Sequence, residues 1–222
     1  MSNANDIVID YCGFKFLTDT SMASRMIKNL YEIQEISLIE EIPNLENSVI
    51  LELGGCLGVV SVVSNSNLNN KENHVVVEAN PKLMKYLEYN KKINNCSFKI
   101  ENAMISSTSD GVFYSFDKIV AGSAHRTDDQ ERNKTKHIVD VMSYDDLEKK
   151  HNLKFDVIIL DIEGGELEFL KEIQNNSHIK YIMVELHESQ MFYGFDGECI
   201  DILKRMGMNM ISSYGHSYLF GR

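Results

Sequence analysis

The sequence predicts an α/β fold, a doubly wound and mostly parallel sheet with an antiparallel final strand. Three observations predict it. Short apolar runs at 48–53, 74–78, 97–101, 155–161 and 179–186 alternate with amphipathic stretches, the pattern of strand–helix–strand units joined by right-handed crossovers. The first run passes into a helix through three closely spaced glycines, Gly54, Gly55 and Gly58. The last predicted strands, 208–213 and 217–220, are joined by Tyr214-Gly215-His216, a hairpin that reverses the final strand against its neighbour.

The elements follow in order. Residues 7–17 alternate weakly and predict a short hairpin. Met22 to Ile42 reads as one helix with Met26, Ile27, Leu30, Ile33, Leu38 and Ile39 on a broad face, ended by Pro43 and Asn44. A helix over about 57–64 follows the glycines, and the Asn-rich stretch 64–73 reads as a loop. Asn80 caps the next helix with Pro81 in its first turn, and Leu83, Met84, Leu87 and Ile93 form its apolar face. Residues 104–142 break the alternation. Within them 112–116 and 138–142 predict an inserted hairpin around the polar segment 122–136, a lid or substrate loop by its length. Ser143 caps a short helix to Lys150. Further helices are predicted over 163–174 and 197–206.

The length fits a single domain, 1–222, with an N-terminal hairpin and helix in 1–47 and the insertion in 104–142. A formal net charge of -11 argues against nucleic acid as a partner and against docking on anionic membranes. Cys12, Cys56, Cys96 and Cys199 are far apart, with no C-x-x-C pair, so reduced thiols in a cytoplasmic setting are expected. Residues 1–6 are polar and the apolar run after them is short, so no signal peptide is expected; no stretch is long enough to span a bilayer. The N-terminal helix suits packing on its own domain or on a second subunit, and oligomeric state stays open.

Ligands of such sheets sit beyond the carboxyl ends of the strands. Glu52, Glu78, Glu101-Asn102, Asp161 and Glu185-His187 fall at predicted strand ends. Glycines at 54, 55 and 58 let the backbone come close to a ligand at a helix start. Glu78 follows the glycine loop by about 20 residues, the separation at which a carboxylate binds ribose hydroxyls. Together they indicate a nucleoside cofactor. The loop reads Glu-x-Gly-x-x-x-Gly rather than G-x-G-x-x-G, and the terminal hairpin is foreign to a simple dinucleotide fold. Both favour S-adenosylmethionine.

Six segments carry a resemblance: Tyr31-Glu32, Glu52-Leu-Gly-Gly-Cys-Leu-Gly58, Glu78-Ala-Asn-Pro81, Asn102-Ala103, Asp156-Val-Ile-Ile-Leu-Asp161-Ile-Glu-Gly-Gly-Glu166 and Val184-Glu-Leu-His187. In these the chain resembles the FkbM-type methyltransferases. The resemblance implies a Rossmann-like class I methyltransferase fold with seven strands in a mixed sheet. It also implies S-adenosylmethionine as donor, and a hydroxyl acceptor on a glycan, polyketide or other small molecule. Glu52 stands where Asp is usual, Cys56 where Asn is usual, Ala79 for a common Pro and Ile159 for a Lys. The cofactor set so implied is Tyr31, Glu52, Gly54, Gly55, Cys56, Gly58, Glu78, Ala79, Asn80, Asn102, Ala103 and Asp161. Within it Glu52 is expected to hold the methionine ammonium, and Asn102 with Ala103 the adenine edge. Cys56 reads as a small loop residue rather than a nucleophile.

Methyl transfer needs alignment and removal of the acceptor proton. Asp161, Glu163, Glu185 and His187 are the candidates from two neighbouring strand ends. Glu163 or His187 is expected as the base, and Asp161 positions groups near the sulfonium. Glu166 is expected one turn into its helix, where it favours the dipole. Three carboxylates and a histidine also suit a divalent cation such as magnesium, a reading not favoured because the same groups serve a metal-free base. His125, Arg126, Arg132, Lys134 and Lys136 make the insertion locally basic, suited to an acidic acceptor or simply to solvent. The competing functions are a nicotinamide-dependent oxidoreductase using the same loop, and a binding module without turnover.

Overall fold

The structure is a computed structural model describing residues 6–28, 31–106, 111–115, 122–123, 135–162, 164–186 and 195–222. Strands β1 (Asp6–Tyr11) and β2 (Phe14–Asp19) form the expected N-terminal hairpin. Its two-residue turn, Cys12 at φ 48° and Gly13 at φ 80°, has the two positive-φ positions of a tight hairpin. The Asp19 carboxylate accepts from Met22 N at 2.8 Å and starts helix α1 (Thr20–Ile27). A second helix, α2 (Ile33–Glu40), follows. The single helix predicted over 22–42 is therefore two. Glu32 adopts a left-handed backbone, φ 53°, which no helix continues through.

The central elements then alternate: β3 (Ile50–Leu53), α3 (Val59–Asn67), β4 (His74–Val77), α4 (Met84–Ile93) and β5 (Lys99–Glu101). After the insertion come α5 (Tyr144–His151), β11 (Val157–Leu160), α6 (Glu166–Ile173), β12 (Tyr181–Glu185), α7 (Phe195–Arg205), β13 (Asn209–Tyr214) and β14 (Ser217–Gly221). The main sheet has seven strands in the order β13-β14-β12-β11-β3-β4-β5. β14 alone runs against its neighbours, pairing antiparallel with both β12 and β13. This is the mixed sheet the sequence predicts.

Alternation along each strand supplies a core on both faces. Leu51, Leu53, Val75, Val77, Ile158 and Leu160 face the side covered by α5, α6 and α7, through Leu147, Phe169 and Leu203. Ile50, Val157, Ile159 and Met183 face Leu38 and Ile39 of α2, while Val76 packs with Val59, Val62, Tyr86 and Leu87. Buried Asn90 ties this second layer to the hairpin. Its Oδ1 accepts from Leu17 N at 2.6 Å, and its Nδ2 donates to Leu57 O at 2.8 Å, inside the glycine loop.

The insertion pairs differently from the prediction. It holds β6 (Ala103–Ile105), β7 (Val112–Ser115), β8 (Gly122–Ser123), β9 (Thr135–Ile138) and β10 (Asp140–Met142). β7 pairs antiparallel with β9 and β8, whereas β10 leaves at Val139 to run parallel with β6. The predicted strand 138–142 is split, because Val139 N donates to Gly111 O at 2.9 Å and sends the chain to a different neighbour. Among the described residues no helix is long and apolar enough to cross a membrane.

Candidate cofactor site

The loop after β3 is built by backbone. Gly54 N and Gly55 N both donate to Val77 O, at 2.9 and 3.2 Å, and fasten the loop to the end of β4. On the other side Asp161 N donates to Leu53 O at 3.0 Å. Gly54 is hemmed in between: at φ 94°, a Cβ there would lie 1.7 Å from Asp161 O. Cys56 at φ 45° and Gly58 at φ 82° complete the alternation of left-handed residues. Asparagine, usual at the Cys56 position in the resemblance above, tolerates that conformation better than cysteine. The end of β11 thus closes directly against the loop and brings Asp161 beside Gly54.

Glu78 lies one residue beyond β4 and is 8% exposed. Its Oε2 accepts from Cys56 N at 2.8 Å and its Oε1 from Asn80 N at 2.6 Å. Burial raises its pKa, while those backbone donors pull it down. The carboxylate bridges the two loops, held by the backbone N–H groups of Cys56, Asn80 and Ala79.

Glu52 has a different place from the one expected. It is 2% exposed; Ser61 Oγ donates to its Oε1 at 2.5 Å and its Oε2 meets His74 Nε2 at 3.0 Å. The carboxylate is spent on joining β3 to α3 and β4. Ile159, where the resemblance has a lysine, stands opposite Glu52 in the register. Glu52 is instead held by Ser61 and His74, neither of which the sequence singled out.

Tyr31 and Glu32 reach the loop from the break between α1 and α2. Tyr31 Oη donates to Cys56 Sγ at 3.0 Å, and Glu32 Oε2 accepts from Val60 N at 3.3 Å in the first turn of α3. Burial, followed by the carboxylates of Glu32 and Glu78, holds the Cys56 thiol well above its ordinary pKa. It is a neutral thiol, unsuited to nucleophilic attack. Burial pushes Glu32 up to about 8, with Glu35 and Glu52 adding to the rise. Glu32 appeared in the sequence only as part of a quoted pair. No periodicity marked it as a site residue.

The remaining candidates divide. Asn102 Nδ2 donates to Glu78 O at 2.8 Å and bridges the loops after β4 and β5. Asn80 Oδ1 accepts from Lys82 N at 3.1 Å, so it caps a turn ahead of α4 rather than the helix itself. Ala79 is half-buried beside them. Ala103 does not present its side chain to the site. It is 1% exposed within the core, because β6 turns it inward. Glu166 is the first residue of α6 rather than one turn in, and both its oxygens accept from Gly164 N, at 3.0 and 3.1 Å. Glu185, at the end of β12, is half-buried. Glu163 and His187, the expected bases, lie outside the described residues, as do His125, Arg126, Arg132 and Lys134. Lys136 is exposed on β9. Among the described residues no group of three or more His, Cys, Asp or Glu could hold a metal ion.

With this geometry in place, the comparisons become specific. The profile of the FkbM methyltransferase domain matches residues 52–215. Among curated proteins none matches the chain. A candidate SAM-dependent methyltransferase from Streptococcus mutans has a similar structure, with a TM-score of 0.56 at 11% identity, covering 100% of this chain and 57% of its own. The chain therefore spans little more than half the length of that protein. A precorrin-6y C5,15-methyltransferase from Geobacter metallireducens is similar at 0.50 and 11% identity, over 92% of this chain and 93% of its own. A candidate transferase from Pyrococcus horikoshii is similar at 0.52 and 12% identity, over 98% and 70%. At such identities the likeness is one of fold.

Proposed function

This chain belongs to the FkbM methyltransferase family, and we propose that it uses S-adenosylmethionine to methylate a hydroxyl oxygen on a sugar or other small molecule. The observation that carries the cofactor geometry is Glu78, held by Cys56 N and Asn80 N beyond the end of β4. A carboxylate so fixed accepts from the two ribose hydroxyls. The charge of the surroundings fits as well. Glu32, Glu78 and Asp161 all act on Cys56, and a cofactor bearing a sulfonium and an ammonium is the cation such a site favours. A dinucleotide suits it poorly. Its pyrophosphate would seek the amides at the start of α3, and Glu32 already occupies Val60 N there.

Bound cofactor supplies a methyl group on a good leaving group, and this chain supplies alignment and a proton acceptor. Asp161, backed against Gly54, is given the positioning role. Glu163 or His187 is assigned the acceptor proton. They follow the ends of β11 and β12, which pair in parallel through Leu160 and Val184. At its unperturbed pKa histidine is the better matched of the two. We place the reaction in the cytoplasm, a setting consistent with four cysteines that form no disulfide.

The test is a calorimetric titration with S-adenosylhomocysteine, followed by transfer of labelled methyl groups from S-adenosylmethionine to sugars, small hydroxyl compounds and RNA oligonucleotides. One-site binding and label in a sugar or small hydroxyl compound are expected. Label only in RNA, or no binding by folded protein, would overturn the reading.

A further inference from the structure

Resting on that cofactor reading, we infer that Glu32 receives the ammonium group of the cofactor's methionine portion, the role expected of Glu52. Three placements carry this. The Tyr31–Glu32 pair is fixed against the glycine loop from both ends: Tyr11 Oη donates to Tyr31 O at 2.7 Å, and Tyr31 Oη donates to Cys56 Sγ at 3.0 Å. Glu32 Oε2 stands 3.3 Å from Val60 N, where the loop becomes α3. Finally, Glu52 is 2% exposed, and its two oxygens meet Ser61 and His74.

The field around Glu32 points the same way. Burial disfavours its ionised form, the Tyr31 hydroxyl and Val60 N favour it, and Glu35 on α2 and Glu52 on β3 add to the rise. Among the described residues no ion pair includes it. Arg25 lies over the Tyr31 ring, 5.6 Å from its centroid. A half-buried carboxylate among carboxylates gains most from a cation brought to it. In this site that cation is the methionine ammonium.

The plain alternative is a structural one. Gly58 offers α3 no side-chain cap, and Glu32 supplies an acceptor to its first turn from elsewhere. Glutamine separates the two roles, since it keeps an acceptor oxygen and loses the charge.

The experiment is calorimetry on wild type and Glu32→Gln with two probes. S-adenosylhomocysteine carries the amino acid portion, whereas 5′-methylthioadenosine has the nucleoside and sulfur without it. Glu32→Gln should lose about tenfold or more in affinity for the first and stay within about twofold for the second. Unchanged affinity for S-adenosylhomocysteine, a gain in it, or equal losses for both probes would overturn the assignment. A gain would mean that Glu32 faces the methionine carboxylate. Should the variant fail to fold, wild type is titrated with an S-adenosylhomocysteine analogue lacking the α-amino group. The same deficit is expected, and equal affinity for the two compounds overturns the assignment. Wild type that binds neither original probe defeats the cofactor reading itself and the Glu32 assignment with it. Binding of both without a split defeats only Glu32.

Discussion

β3 and β4 carry the same local pattern, buried aliphatics and then a glutamate, yet the two carboxylates end in different chemistry. Glu52 pairs in register with Val76, inside the sheet. Glu78 lies two residues further along, roughly 7 Å up the strand direction, and past the end of β4. Both fall on the same face by alternation. The lower one lies beneath α3 and finds Ser61 and His74. The upper one finds the backbone N–H groups of two loops. The difference teaches that a strand-end carboxylate turns to the backbone of neighbouring loops only once it clears the last rung of its neighbours. Below that rung it is held by side chains of the elements packed on the sheet.

Substitutions at the two strand ends sharpen this contrast. The largest effect is expected at the turn that lets β3 leave the sheet. Gly54→Ala forces a Cβ to 1.7 Å from Asp161 O at φ 94° and should cost about 4 kcal/mol or more. Urea denaturation would read it, and a loss under about 1 kcal/mol would mean that the β3–β11 closure is softer than it looks. Glu52→Ala comes next, at about 3 kcal/mol, because His74 and Ser61 lose a buried partner. Its folded fraction should still bind S-adenosylhomocysteine within about threefold of wild type, since no ligand contact is removed. Glu78→Ala should reverse the ranking, with about a hundredfold weaker binding and about 1–2 kcal/mol of lost stability, from the backbone donors left without an acceptor. If both variants lost binding alike, the comparison between the two strand ends would collapse.

The smallest effect is one of pH. Glu32 titrates near 8 in the ligand-free protein, and a bound ammonium favours its ionised form. The bound state therefore holds fewer protons, and affinity for S-adenosylhomocysteine should rise with pH and level off above about 8. The gain from pH 6 to 8 should be about tenfold. Glu35, Glu52, Tyr31 and Cys56 surround this group, and Glu78 is itself shifted upward. Glu32→Gln is the control that should flatten most of the rise.

Much of the architecture was legible because strands announce themselves locally. The five parallel runs, the glycine loop and the terminal hairpin each depend on residues within a few positions of one another. The position of Glu78 past the end of β4 was legible for the same reason, being the first charge after three valines. The Ser61 and His74 partners of Glu52 were not, because they depend on packing across strands and helices, which no local pattern carries. The break between α1 and α2 was hidden too. No glycine or proline marks it, and Ile27, counted on the apolar face, is 68% exposed. What breaks the helix is tertiary, the anchoring of Tyr31 by Tyr11 and Cys56. In the insertion, 138–142 form one run in the sequence, and pairing of its first residue with β7 and of 140–142 with β6 divides it.

The position of β14 has a consequence for synthesis on the ribosome. It lies between β12 and β13, with Leu219 and Phe220 at 0 and 1% exposure. β12 ends at Glu185 and β14 begins at Ser217, an interval of roughly a few seconds at ordinary elongation rates. Through it the apolar edge of β12 that β14 will cover has no partner on that side and is open to pairing with other chains. The glycine loop, Glu78 and Asp161 are thus all made before the sheet beneath them is sealed, and a chaperone acting on this protein would have its work at that bare edge.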